Sequence, residues 1–144
     1  MKRLHFLVSL VLSCAFASTS YAGKIKVLLL DGQNNHNWKA TSPVLIQALE
    51  SSGKFAVTRS TSPAKGAAKE AWGDWKPNFD GHDVTLSNYN GQPWPEAVQK
   101  GLTDYVNGGG ALVVVHAANN SFSGWPEYNR MIALGGWGGR TEKH

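Results

Sequence analysis

Cysteine is almost missing from this chain. Its single copy, Cys14, lies in an N-terminal segment with the pattern of a leader. A chain cut after Ala22 has no disulfide, no thiolate metal ligand and no cysteine nucleophile. Charge is sparse too, at 17% of residues. The basic residues are scattered and form no stripe, so no nucleic-acid partner is expected. The pI near 9.3 does not change this. Part of the formal charge of +4 comes from Lys2 and Arg3, and without them it is +2. The one long apolar run, Phe6 to Ala17, is too short for a stable membrane span. Internal repeats and low-complexity tracts are absent. What remains is 42% hydrophobic, with six Trp, which argues for one packed globular domain and against disorder.

The first residues read as an export signal. Met1-Lys2-Arg3-Leu4-His5 is a basic start, Phe6 to Ala17 an apolar stretch, and Ser20 and Ala22 place small residues at −3 and −1 of a cut before Gly23. Residues 1–22 are therefore expected to be a cleaved signal peptide, and residues 23–144 the mature domain, periplasmic or secreted. A lipid-modified Cys14 fits less well, because Leu12 precedes Ser13. Intact-mass measurement of exported protein should give a chain beginning at Gly23. A mass that retains residues 1–22 would defeat this reading.

The rest alternates strand and helix signals. Ile25 to Leu30 is a first strand. Ser42-Pro43 predicts a helix start, with Ser as N-cap, Pro at the first position, Val44, Leu45, Ala48 and Leu49 on one face, and Gly53 at the end. Phe55 to Ser60 is a second strand. Residues 61–79 form a long connection with a helical turn at Ala67–Ala71. Asp83 to Ser87 is a third strand, and Pro95 opens a helix that buries Val98, Leu102 and Tyr105 beside Trp94. Asn107-Gly108-Gly109-Gly110 turns into a fourth strand, Ala111 to Val115, whose unbroken apolar run reads as buried on both faces. Pro126 opens a third helix that Gly135-Gly136 ends. This order means an α/β fold with a parallel sheet.

Chemistry-bearing residues gather just after strands one, three and four, the edge where open α/β sheets bind ligands. After strand one come Asp31, Asn35, His36 and Trp38. A solvated turn would explain them equally. After strand three, Asn88, Tyr89 and Asn90 set amides beside an aromatic ring, a mixture suited to sugar hydroxyls and C–H faces. A plain loop into the next helix is the alternative. His116 follows strand four directly, with Asn119 behind it. On spacing alone, a core histidine with one satisfied nitrogen competes with a catalytic one. Glu127 sits in the first turn of the third helix, where complementing the helix dipole is the simpler role. Asp31, His36, His116 and Glu127 are the metal-ligating types present, but no HExxH-like spacing joins them, and neither metal nor cofactor is expected. Asn119-Asn120-Ser121 is formally a glycosylation sequon.

Together the segments KIKVLLLDG (24–32), HNW (36–38), NYNG (88–91) and GWPEYNRMIALGGWGGR (124–140) resemble the ThuA-like family, named for trehalose utilization. The resemblance covers nearly everything after residue 23. It implies membership of the class I glutamine amidotransferase-like superfamily, and a flavodoxin-like three-layer fold with a mostly parallel sheet of order 2-1-3-4. It further implies carbohydrate metabolism, with trehalose-like or 3-keto-disaccharide sugars as the substrate class. The superfamily places a nucleophile elbow at the end of the strand before His116. Glutaminase chemistry needs a pattern like Gly-x-Cys-x-Gly there, whereas this chain has Val115-His116-Ala117-Ala118-Asn119, so no glutaminase activity is expected. Two readings follow. One is an enzyme using His116 and His36 for proton transfer on a keto-sugar. The other is a non-catalytic sugar-binding module. An inactive remnant is a third outcome, because the family domain normally continues well past residue 144. On that ground strand four is expected to lie at an open edge, inviting an edge-strand dimer.

Overall fold

In the first strand, β1 (Ile25–Asp31), the alternation of side chains serves two cores rather than one. Leu28 and Leu30 face one apolar cluster, while Val27 and Leu29 face another. A strand apolar on both faces must be covered on both, which is the situation of a parallel sheet between helices. The computed structural model, which describes residues 23–133, shows this arrangement. β1 pairs in parallel with β2 (Phe55–Thr61) on one side and with β3 (Val84–Ser87) on the other. β3 pairs in turn with β4 (Ala111–Val114), so the sheet is all parallel, in the order β2-β1-β3-β4. This is the α/β, flavodoxin-like architecture expected. The expected signal segment, Cys14, the expected Gly135-Gly136 helix end and the residues beyond it lie outside the described residues.

Helix α1 (Trp38–Glu50) covers one face through Leu45, Ile46 and Leu49. It starts earlier than Ser42-Pro43 suggests. Asn37 is the cap, its Oδ1 accepting from the Ala40 amide at 3.2 Å. Pro43 therefore lies inside the helix, and it cannot donate to the Lys39 carbonyl four residues back. The buried face also differs from the one expected. Val44 is 62% exposed and Ala48 is exposed, while Ile46 packs inward.

The opposite face carries α2 (Lys69–Asp74), α3 (Glu96–Asn107) and α4 (Pro126–Met131) over a largely aromatic core. α2 falls two residues later than the helical turn expected, because Trp72 is the residue that it buries. α3 buries Val98, Leu102 and Tyr105 as its periodicity requires. Phe122 packs against Tyr89, Trp94, Trp125 and Tyr128, with ring centroids 4.8 to 5.7 Å apart.

Strand β4 departs from the expectation of a strand buried on both faces. Leu112 and Val114 pack against the aromatic core, but Ala111 is exposed and Val113 is 46% exposed. On that face α1 packs chiefly over β1 and β2. Among the described residues β4 is an edge strand.

Candidate functional site

At the carboxyl edge of the sheet three loops meet, and their own hydrogen bonds lace them together. Asn34, in the loop after β1, donates from Nδ2 to the Asn88 carbonyl at 3.0 Å. Asn90 Nδ2 donates to Asn35 Oδ1 at 3.2 Å, a second tie between the loops after β1 and β3. The buried Ser121 hydroxyl donates to the Tyr89 carbonyl at 2.7 Å and joins the loop after β4 to the one after β3. Tyr128 adds a clamp from α4, donating to the Ala118 carbonyl at 2.7 Å. The first three ties span 32 to 55 residues, so each fixes one loop relative to another.

Two imidazoles come together on this frame. The His36 and His116 rings lie 4.8 Å apart between centroids, and both residues are exposed. β1 and β4 are not neighbours in the sheet, so the loops carry these rings toward each other across the end of β3. The His36 amide donates to Asn34 Oδ1 at 2.9 Å, which fixes the loop that presents its ring. His116 opens a short 3-10 turn (His116–Asn120) directly after β4, with a backbone φ of +43°. That is the left-handed region, sparsely used by residues other than glycine and a frequent mark of functional sites. Phe122, just past the same turn, also has a positive φ, of 58°. It is held there by the aromatic cluster.

The other candidate residues divide by how their polar atoms are used. Asp31 is fully buried. Arg59 Nε donates to its Oδ2 at 2.7 Å, and the Thr61 hydroxyl to its Oδ1 at 2.7 Å. Asn88 is buried beneath the loops, and its Nδ2 donates to the Thr41 and Ser42 hydroxyls at 3.0 and 3.1 Å. Tyr89 is wholly buried, and its hydroxyl donates to the Gln92 carbonyl at 2.7 Å. Burial pushes the Tyr89 and Tyr128 hydroxyls well above the ordinary tyrosine range, so neither serves as a base near neutral pH. Glu127 pairs with Arg130 on the surface of α4 at 2.6 Å. Asn35, Trp38 and Asn90 are the candidates that line an open cleft of about 660 Å³. Asn119 lies in the 3-10 turn and is half-buried.

The same cleft is lined by residues not singled out in the sequence: Gln33, Asn34, Lys39, Lys65 and Gln92. For Gln33 and Asn34 the signal was present, since both lie in the polar loop after β1. Gln92 continues the amide-rich Asn88–Asn90 run past a glycine. Lys65 gave no signal, because it belongs to the long connection after β2 and reaches the site only through the sheet order. Among the described residues no three His, Cys, Asp or Glu side chains are grouped to hold a metal ion, and no helix is long and apolar enough to cross a membrane.

No protein-family model and no curated protein matches the chain. A crystal structure described as that of a thua-like protein from Parabacteroides merdae ATCC 43184 is similar to it, with 45% sequence identity and a TM-score of 0.76 over 83% of this chain. This chain spans 42% of the length of that one. Identity of this extent, together with a shared fold, supports the ThuA-like family for this chain.

Proposed function

We propose that this chain is an exported ThuA-like domain that acts in carbohydrate metabolism on a trehalose-like or 3-keto-disaccharide sugar. His36 and His116 would move a proton beside the sugar carbonyl. The observation that carries this reading is the pair of imidazoles 4.8 Å apart at the ligand-binding edge, one of them on a left-handed backbone. One neutral imidazole takes the proton from the carbon next to the carbonyl, and the electron pair moves to form the enolate. The other imidazole, protonated, gives its proton to the developing enolate oxygen. The net change is ketone to enol, with the two rings exchanging protonation states. Asn35, Trp38, Asn90 and Asn119 would contact the sugar. Asp31, Asn88 and Tyr89, whose polar atoms are used internally, would position the loops.

The amidotransferase-like superfamily that the resemblance implies keeps its nucleophile elbow at the position of His116, and a thiol is absent there. Purified protein should release no ammonia from glutamine. Release that survives purification and is lost in His116→Ala would overturn this.

A second reading is a sugar-binding module without catalysis. It is favoured by the exposure of both imidazoles and by their absence from the lining of the neighbouring cleft. Substitution separates the two. In an enzyme, His36→Ala and His116→Ala each lower kcat by about 10²- to 10⁴-fold with little change in KM. In a binder there is no turnover to lose, and any effect is on affinity alone. His116→Gly removes the left-handed strain, worth about 1–2 kcal/mol. It is expected to keep or raise Tm while losing turnover, which shows that lost activity is not lost folding. Among the described residues β4 lies at the edge of the sheet, which further leads us to propose self-association, read as a concentration-dependent elution volume.

A further inference from the structure

The cleft next to the histidine pair has a hydrogen-bonding polarity set by how its amides are consumed. Gln33 Oε1 accepts from the Gln92 backbone amide at 3.1 Å, while its Nε2 donates to the Pro63 carbonyl at 2.8 Å. Asn34 Oδ1 is taken by the His36 amide, and Nδ2 by the Asn88 carbonyl. Gln92 Oε1 accepts from the Gly66 amide at 2.9 Å. Backbone groups orient all three side chains, so which end is oxygen is fixed by donors that cannot turn. Asn35 Oδ1 is used by Asn90. The internal network has thus absorbed side-chain oxygens. Of the side chains whose orientation backbone groups fix, Gln92 is left with an NH₂ group that has no internal acceptor among the described residues, a donor at the cleft.

Charge points the same way. Lys39 and Lys65 line the cleft, and no Asp or Glu does. Lys39 Nζ stands 5.6 Å from the centre of the Trp38 ring, a cation–π contact that keeps the ammonium at the cleft wall. Arg59 approaches the same ring at 5.5 Å, but its charge is met by Asp31. Lys39 and Lys65 have no ion-pair partner among the described residues. A neutral sugar hydroxyl both donates and accepts, so it suits a balanced site. This cleft is rich in donors, and a carboxylate or phosphate offers only acceptors.

We propose that the cleft binds a sugar carrying an anionic group, held by Lys39, Lys65 and the Gln92 NH₂; this rests on the reading of the edge as a sugar site. Calorimetric titration of the full chain with trehalose, its 6-phosphate, its uronic (6-carboxylate) form and inorganic phosphate tests it. At least one charged form should bind about tenfold tighter than trehalose, with an affinity that falls as salt is added. Which charged form wins identifies the anion. Lys39→Gln and Lys65→Gln, both surface changes, should remove most of that advantage, weakening the charged form far more than they weaken trehalose. Trehalose binding without any preference for the charged forms would overturn the inference while the sugar-site reading stands. An advantage that survives both substitutions, or inorganic phosphate binding as tightly as the sugar phosphate, would also overturn it. Failure of every sugar to bind would remove the parent reading and this inference with it.

Discussion

Gly32→Ala is expected to abolish folding. Gly32 follows β1 with a φ of +120°, a conformation that side-chain-bearing residues rarely adopt. A Cβ there would lie 2.6 Å from the Ser62 carbonyl oxygen and 2.7 Å from its amide nitrogen. Both are backbone atoms, and they cannot swing away. Ser62 is tied by its amide to the Asp31 carbonyl at 2.8 Å, so relief would open the ends of β1 and β2 together. Strain of about 1–3 kcal/mol at such a conformation, added to a backbone overlap, is large against a typical domain stability of about 5–15 kcal/mol. Gly53→Ala provides the contrast. Its φ of +72° is also left-handed, but the added Cβ meets nothing within 4 Å. It should cost about 1 kcal/mol and shift Tm by only a few degrees. Circular dichroism melts of the two variants decide the matter. A Gly32→Ala protein melting as high as Gly53→Ala would show that the close approach of the two strand ends is not rigid.

Asp31→Ala is expected to destabilise the domain by about 3 kcal/mol, the lower end of the range for breaking a buried ion pair. The carboxylate is completely buried between Arg59 and Thr61. Its removal strands the guanidinium and a hydroxyl. The Arg59 side chain is 34% exposed and can rehydrate in part, which holds the cost at that lower end. Asp31→Asn keeps the shape and loses the charge, so it should fall between wild type and Asp31→Ala. Urea unfolding measures both. If Asp31 instead contacts substrate, the variants would unfold like wild type and lose only affinity. That outcome would return Asp31 to the binding surface.

These two positions show how differently parts of the chain announce themselves. The apolar run of β1 needs cover on both faces whatever surrounds it, so it reads correctly in isolation. α3 is equally legible, because Pro95, Val98, Leu102 and Tyr105 carry start and face within one short segment. The start of α1 was not. Asn37 and Ser42 are both good caps, and Pro43 argues locally for the later one. The earlier start places Ser42 in the second turn, buried, where its hydroxyl accepts from Asn88 Nδ2. Ser42 lies far from Asn88 in sequence, and no local pattern contains their contact. The same holds for β4. Its composition suits a fully buried strand, yet its exposure depends on where α1 lies.

The sequence by itself determined which residue types stand at the ends of the strands: acids, amides and two histidines after a parallel sheet's carboxyl edge. Spacing of apolar residues decides where strands stop, and it acts within a few positions. Tertiary structure alone decided which of those groups are still available. Asp31, Asn88 and Tyr89 are spent on Arg59, Thr41, Ser42 and Gln92, while His36 and His116 meet across β3. The physical reason is that a polar group's partner is set by proximity in space. Here most of those partners lie tens of residues away, brought near only by the order β2-β1-β3-β4.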